Sequence, residues 1–242
     1  MWPFNKSITV AQSGLLQGFI DCHSHLLPGV DDGVQTLTES LDILALMERQ
    51  GVRKLWLTPH IMEDYPNRPA DLRKKFAELQ AAYSGPIQLQ LAAEHMLDHL
   101  FEERLVADDV LPLEEGKRFL LVETSYFNPP MDLENALRRI QAKGYYPLLA
   151  HPERYVYMDK KYYRRLWDMD IDFQLNLPSL MGGYGKEVQQ KAQWLLKQGW
   201  YALCGSDTHR RRFWTDSVQV GSVDKNVLKA ELFVATKFLK IH

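Results

Sequence analysis

Nine side chains able to bind a metal ion fall, one or two at a time, where short apolar runs of this chain end: His23, His25, Asp32, His60, Glu94, Glu123, His151, Asp207 and His209. His23 and His25 are two apart on a strand-like run, so both project from one face, which suits two imidazoles sharing one metal. A His-x-His pair by itself is equally compatible with a satisfied polar core. Asp32 follows in Pro28-Gly29-Val30-Asp31-Asp32-Gly33, which alone would read as a turn. His60 ends Leu55-Trp56-Leu57-Thr58-Pro59, where the proline stops the strand ladder. Glu94 and Glu123 close apolar strands, and a carboxylate there is costly to bury unless ion-paired or bound to metal. His151 ends Pro147-Leu148-Leu149-Ala150, with Arg154 on the same loop, and Asp207 and His209 repeat the two-residue spacing. Jointly they point to a multinuclear metal site.

Such a site needs elements that bring distant positions together. Strand-like runs fall at 19–25, 54–60, 87–95, 119–127, 146–151, 172–177 and 202–207. Amphipathic helical stretches fall at 38–50, 69–83, 131–143, 160–169 and 186–198. Thr36-Leu37-Thr38-Glu39 reads as a capping-box start, and Gly51, Gly144 and Gly199 stand where helices should stop. Seven strands alternating with helices predict an α/β fold with a mainly parallel sheet, closed or nearly closed into a barrel with the ligands at the C-terminal strand ends. The acid-rich segment 97–115 is irregular, with room for one short helix. Residues 1–17 read as an N-terminal extension and 18–242 as a single domain.

Composition narrows the partners. A formal charge of −2 over 242 residues gives no basic footprint for nucleic acid. No apolar run approaches the roughly 20 residues that cross a bilayer, and the N-terminus lacks the order of a signal peptide, so no membrane insertion is expected. Two cysteines, Cys22 and Cys204, are too few for a disulfide framework and fit a cytoplasmic protein with both thiols as small core residues.

Imidazoles and carboxylates without a clear thiolate suit Mn2+, Fe2+ or Zn2+. Nine ligands can hold two or three ions, with Glu94 as a bridge. Three divalent ions against four carboxylates leave a site charge of about +2, to which Arg154 adds, and such a site favours a dianionic phosphate. The expected chemistry is attack on phosphorus by a metal-bound hydroxide with no phospho-enzyme. Cys204 and Arg210 have the Cys-x5-Arg spacing of a cysteine phosphatase, but the intervening segment lacks a glycine-rich phosphate cradle. Tyr65, Tyr126, Phe127, Tyr155 and Tyr184 fall in mouth loops, where they could pack on a phosphotyrosine ring or simply on the rim. The loop 61–69 is a lid candidate.

With these motifs assembled, the chain resembles the polymerase-and-histidinol-phosphatase (PHP) superfamily and, within it, the bacterial capsular-polysaccharide type of protein-tyrosine phosphatase. The carriers are the Asp-Cys-His-Ser-His-Leu-Leu-Pro-Gly-Val-Asp-Asp-Gly run at 21–33, Thr-Pro-His at 58–60, Ala-Glu-His-Met-Leu-Asp at 93–98, His-Pro-Glu-Arg-Tyr at 151–155 and Ser-Asp-Thr-His at 206–209. The resemblance implies a distorted seven-stranded TIM-like (β/α)7 barrel of the PHP type and a Mn2+-activated trinuclear site. His23, His25, Asp32, His60, Glu94, Glu123, His151, Asp207 and His209 would be ligands and Arg154 would hold phosphate. The implied substrate is a phosphotyrosine protein, the tyrosine-rich tail of a bacterial autokinase that controls capsule and exopolysaccharide assembly. A homo-oligomer is compatible with it. Ala93 departs from an expected glycine. Family members often carry an arginine past the last motif, for which Arg210, Arg211 and Arg212 all stand available; Arg210 and Tyr65 are taken as substrate-binding candidates. A histidinol-phosphate-type phosphomonoesterase, a nuclease or phosphodiesterase, and a non-catalytic metal-binding regulatory module are the competing readings.

Overall fold

A computed structural model describes residues 7–114, 117–219 and 221–224. The chain opens with β1 (Ser7–Thr9) and α1 (Val10–Ser13), then β2 (Ile20–Asp21), α2 (Leu37–Gln50), β3 (Lys54–Leu57) and β4 (His60–Ile61). It continues with α3 (Pro69–Ala82), β5 (Gln88–Leu91), β6 (Glu94–Met96), α4 (His99–Val106), β7 (Leu113–Glu114) and β8 (Arg118–Glu123). Then come α5 (Leu133–Ala142), β9 (Tyr146–Ala150), α6 (Lys160–Trp167), β10 (Asp172–Asn176), α7 (Leu177–Leu180), α8 (Lys186–Gln198), β11 (Tyr201–Gly205), α9 (Arg211–Phe213) and β12 (Ser222–Asp224). The helices start as their caps dictate: Thr36 Oγ1 accepts the Glu39 N–H ahead of α2, and Asp159 accepts the Tyr162 N–H ahead of α6. The segment 97–115 carries α4 and β7, one element more than its irregular composition suggests.

The sheets are mainly parallel, but they do not close. Strands β11-β10-β9-β8-β6-β4 form one sheet, with β7 antiparallel on β8, while β2-β3-β5 form another. The closed seven-stranded barrel is therefore corrected to split α/β sheets. The break has a local cause. The runs 54–61 and 88–95 keep one register throughout, Lys54 opposite Gln88 and His60 opposite Glu94. The ladder is interrupted between them at Thr58-Pro59 and Ala92-Ala93, because Pro59 has no N–H to donate. At the other seam Cys22 N–H donates to Cys204 O (3.1 Å) and Asp207 N–H to His23 O (2.8 Å), with a single bridge from Ser24 to Thr208.

The two sheets wrap a small interior core of Cys22, Trp56, Ala92, Phe119, Leu121, Leu148, Ala150 and Leu203, distinct from the larger core under the helices. Strand alternation then carries the interior face from Trp56 to His60, from Ala92 to Glu94 and from Leu121 to Glu123. The same face that packs the core at its base therefore presents ligating groups at its C-terminal end. The expected N-terminal extension is partly structural: β1 pairs antiparallel with β12, and Val10, Leu15 and Leu16 are buried in the large core. Residues 1–6 of it lie outside the described residues.

His95 lies beside Glu94 but does other work. Its Nδ1–H donates to Leu121 O (3.2 Å) and its Nε2 accepts Leu111 N–H (3.3 Å), so the buried ring must be neutral. Burial pushes its pKa down to about 4. The unfolded chain therefore takes up this proton first, near pH 6.5, and the stability from the neutral ring is complete above that pH and lost as pH falls towards 4. Between pH 7 and 5 the parent should lose about 2 kcal/mol more stability than a His95→Gln variant in urea unfolding. Equal losses would contradict it.

Candidate metal centre

The structure brings all nine expected ligand side chains into one cluster. Glu94 sits at its middle, 1% exposed, on the first residue of β6. Its Oε2 lies 3.1 Å from His23 Nε2, 3.3 Å from His25 Nε2 and 3.2 Å from His60 Nδ1, while Oε1 lies 3.0 Å from His151 Nε2. Asp207 Oδ1 faces His23, His25 and His209 at 3.5, 3.3 and 3.4 Å. Glu123 Oε1 meets His60 Nδ1 at 3.0 Å, and Asp32 Oδ1 stands 3.5 Å from both His60 and His209. Four overlapping ligand groups result: His25, Asp32, His60 and His209; His23, His25 and Asp207; His23, Glu94 and His151; and His60, Glu94 and Glu123.

The donor set fits metal ions better than it fits itself. His23 Nδ1–H donates to Gln174 Oε1 (3.0 Å) and His25 Nδ1–H to Asp31 Oδ2 (2.9 Å). Those bonds fix both tautomers, so the two Nε2 lone pairs face one another at 3.1 Å. The buried His60 Nδ1 and Glu123 Oε1, 3.0 Å apart, make no well-aligned hydrogen bond. Separations of 3.0–3.5 Å are what neighbouring ligand atoms keep around an ion with bonds of about 2.1 Å. Without ions, protons hold the carboxylates and imidazoles together. Burial opposes charge on His23, but Glu94 and Asp207 outweigh it and raise its pKa to about 9. Burial likewise opposes charge on Glu94 and Asp207, but His23 leads the neighbours that hold both carboxyls well below the usual range. Metal loading must therefore displace protons, and affinity falls as the pH is lowered.

Two of the candidate ligands sit in left-handed backbone, His151 at φ 34° and Asp207 at φ 54°. Both follow the last residues of their strands, where the turn aims the side chain into the cluster at a backbone cost of order 1–3 kcal/mol each. Two glycines hold the His-x-His segment between them. A Cβ on Gly205 would lie 2.4 Å from His23 Cβ, and one on Gly33 would lie 2.2 Å from His25 O. Glycine is required at both places by close approach.

Among the described residues the cluster reaches solvent at Asp32 and His209. His23, His25, Glu94, Glu123 and His151 are buried, whereas Asp32 is half exposed and His209 partly so. Arg154 stands beside the cluster, its guanidinium between the rings of Tyr126 (4.5 Å) and Tyr184 (4.2 Å). Its Nη1 donates to Asp207 Oδ2 at 2.6 Å, leaving Oδ1 to the imidazoles. The Tyr65 ring stacks near His60 at 6.1 Å, and its loop is tied down by Asn67, whose Nδ2 donates to Val30 O and His60 O. Arg210, Arg211 and Arg212 are exposed, and Arg212 pairs with Asp216. The structure does not bring Arg210 into the hydrogen bonds of the cluster. Tyr155 is not a mouth residue: it is fully buried, its hydroxyl accepting the Thr124 N–H.

Sequence reasoning passed over the side chains that orient the ligands. Asp31 accepts from His25 Nδ1 and from the backbone N–H groups of Gly33 and His60. His25 leads the neighbours that outweigh its burial and hold its carboxyl down at about 2. Spacing could not separate Asp31 from Asp32. Gln174 and Asn176 occupy the interior face of β10, the expected strand that carried no ligand, and Asn176 donates to Asp207 Oδ2. Because Asp31 fixes the His25 tautomer, Asp31→Asn should weaken Mn2+ binding by about 10- to 100-fold in calorimetric titration. Unchanged affinity would remove Asp31 from this role.

Cys22 and Cys204 are buried and not disulfide-bonded, and burial pushes the Cys22 thiol well up. Leu203 packs in the interior core and Cys204 in the outer one, so alternation along β11 turns the Cys204 thiol away from the cluster.

A split parallel α/β fold with a His/carboxylate cluster able to bind metal and an adjacent arginine defines a metallohydrolase type of site. Residues 19–220 match the family described as capsular polysaccharide synthesis, CpsB/CapC, and the chain belongs to that family. It is 28% identical over 196 residues to the tyrosine-protein phosphatase YwqE of Bacillus subtilis, covering 78% of this chain and 77% of that one. It superposes, with a TM-score of 0.75 at 25% identity over 90% of this chain and 86% of the other, on a chain from the crystal structures of YwqE from Bacillus subtilis and CpsB from Streptococcus pneumoniae, described as unique metal-dependent tyrosine phosphatases. The histidinol phosphate phosphatase of Lactococcus lactis, with zinc, L-histidinol and phosphate bound, shares the fold at a TM-score of 0.50 and 15% identity, covering 93% of this chain and 95% of that one. No helix among the described residues is long and apolar enough to cross a membrane.

Proposed function

We propose that this chain is a metal-dependent protein-tyrosine phosphatase of capsule or exopolysaccharide synthesis, acting in the cytoplasm on the tyrosine-rich tail of a bacterial autokinase. The observation that carries the reading is the convergence of five imidazoles and four carboxylates in a largely buried cluster beside a stacked arginine. His23, His25, Asp32, His60, Glu94, Glu123, His151, Asp207 and His209 would hold two or three divalent ions, Mn2+ foremost, with Fe2+ or Zn2+ also suited to this donor set. When bound, the ions supply Lewis acidity, making a water nucleophilic near neutral pH and offsetting charge on the phosphoryl oxygens.

The protein's own groups do the rest. Arg154 offers planar N–H donors to two phosphate oxygens, and the Tyr126 and Tyr184 rings keep its fork from turning. Asp31 and Gln174 keep His25 and His23 in the tautomers that leave Nε2 free for a metal. Tyr65 stands at the rim where a substrate ring would enter. Phenol has a pKa of about 10, so a phenolate leaves without a strong general acid. A phosphotyrosine ring also carries its phosphate further from the backbone than phosphoserine does, which suits a cluster with most of its ligands buried. The buried, outward-packed Cys204 favours direct hydrolysis over a cysteinyl-phosphate route.

Initial rates with Mn2+ on a phosphotyrosyl peptide and on histidinol phosphate test the substrate class. The peptide should be preferred, and preference for histidinol phosphate would move the reading to a small-molecule phosphomonoesterase.

A further inference from the structure

We propose that the groove between α6 and α8 seats residues flanking the phosphotyrosine of a polypeptide substrate and selects acidic ones there. The inference rests on the phosphotyrosine reading above and names how that substrate would be recognised beyond its phosphorylated ring.

The groove has a volume of about 620 Å³, within the range that accepts several side chains. It is linked to the site through the backbone around Val156. Val156, on its rim, lies two residues beyond Arg154, and its N–H donates to Tyr126 O at 2.9 Å. The Tyr126 ring in turn packs on the Arg154 guanidinium. Val156 is 55% exposed and Phe127, beside Tyr126, is 70% exposed. Apolar side chains this open next to a catalytic opening are suited to contact with a polypeptide.

The charge in the groove is unbalanced. Lys160, Lys191 and Lys197 line it, against Asp159 and Glu187. Asp159 is committed to capping α6, accepting the Tyr162 N–H at 2.8 Å, and Glu187 faces Lys191 at 3.6 Å. Lys160 and Lys197 therefore have no carboxylate partner among the described residues. The Lys160 ammonium sits over the Trp194 ring at 5.3 Å, held across the groove rather than swept into solvent. An apolar rim followed by two uncommitted ammonium groups fits a chain that leaves the site across Val156 and places carboxylates beyond it. A free anion would gain nothing from the exposed Phe127 and Val156, whereas a polypeptide running out of the site meets both.

The test uses the Mn2+-loaded full chain and two fluorescein-labelled peptides containing a non-hydrolysable phosphonate analogue of phosphotyrosine, flanked on both sides by glutamates or by glutamines. Fluorescence anisotropy at low salt should show the acidic peptide binding about five- to tenfold tighter, from two ammonium–carboxylate contacts. A Lys160→Glu/Lys197→Glu double variant should lose that preference while hydrolysing p-nitrophenyl phosphate at the parent's rate. The variant separates the groove from attraction by the metal cluster, which both proteins share. Equal affinities in the parent, or a preference that persists in the double variant, would overturn the groove assignment. Absence of p-nitrophenyl phosphate hydrolysis would instead count against the catalytic reading, and the anisotropy still decides the groove.

Discussion

Glu94→Gln is expected to reduce phosphotyrosine hydrolysis by on the order of 10³-fold or more, together with measurable loss of bound metal. One carboxylate oxygen meets three imidazole nitrogens within 3.3 Å, and the other meets a fourth at 3.0 Å. Two of the four ligand groups share this residue. The amide keeps the size of the side chain but removes a negative charge from among four imidazoles and turns one ligating oxygen into an N–H donor. No neighbour can replace it, because Glu123 reaches only His60 and Asp207 approaches from the opposite seam. Metal analysis after gel filtration, with phosphate release from a phosphopeptide, checks both halves. Activity within about tenfold of the parent would mean that Glu94 is not the shared ligand.

Arg154→Lys should lower kcat/KM for the same peptide by about 10²- to 10³-fold without loss of metal. Lysine keeps the charge but cannot offer a planar fork or fill the slot between Tyr126 and Tyr184. Metal content should be retained because Arg154 and Asn176 engage Asp207 Oδ2, while Oδ1 faces the imidazoles. A parallel fall in bound metal would show that Arg154 serves to position Asp207 rather than to receive phosphate.

How far these sites could be read from the sequence follows from strand geometry. The alternation that buries Trp56, Ala92 and Leu121 also orients His60, Glu94 and Glu123, so the apolar pattern and the ligand pattern reinforced each other. Sheet closure was less legible. It depends on whether hydrogen-bond ladders survive Pro59 and the irregular stretch after Asp21, which periodicity does not report. The left-handed backbone at His151 and Asp207 was equally hidden, since neither is glycine. Asp31 and Gln174 escaped notice because a residue that orients a ligand has no spacing rule of its own. Tyr155 looked exposed from its place in a loop, but the short 3-10 turn over Pro152–Arg154 carries it back into the core. Arg210 follows the last ligand motif and is exposed just ahead of the short helix α9.

In the proposed function the His/carboxylate cluster, rather than a cysteine, hydrolyses phosphotyrosine. Phosphate release from a phosphotyrosyl peptide, followed through chelation and Mn2+ readdition in the parent and in a Cys204→Ser variant, tests it most directly. Activity should be abolished by the chelator, restored by Mn2+, and largely spared in the variant. Activity that survives chelation but disappears in Cys204→Ser would contradict it.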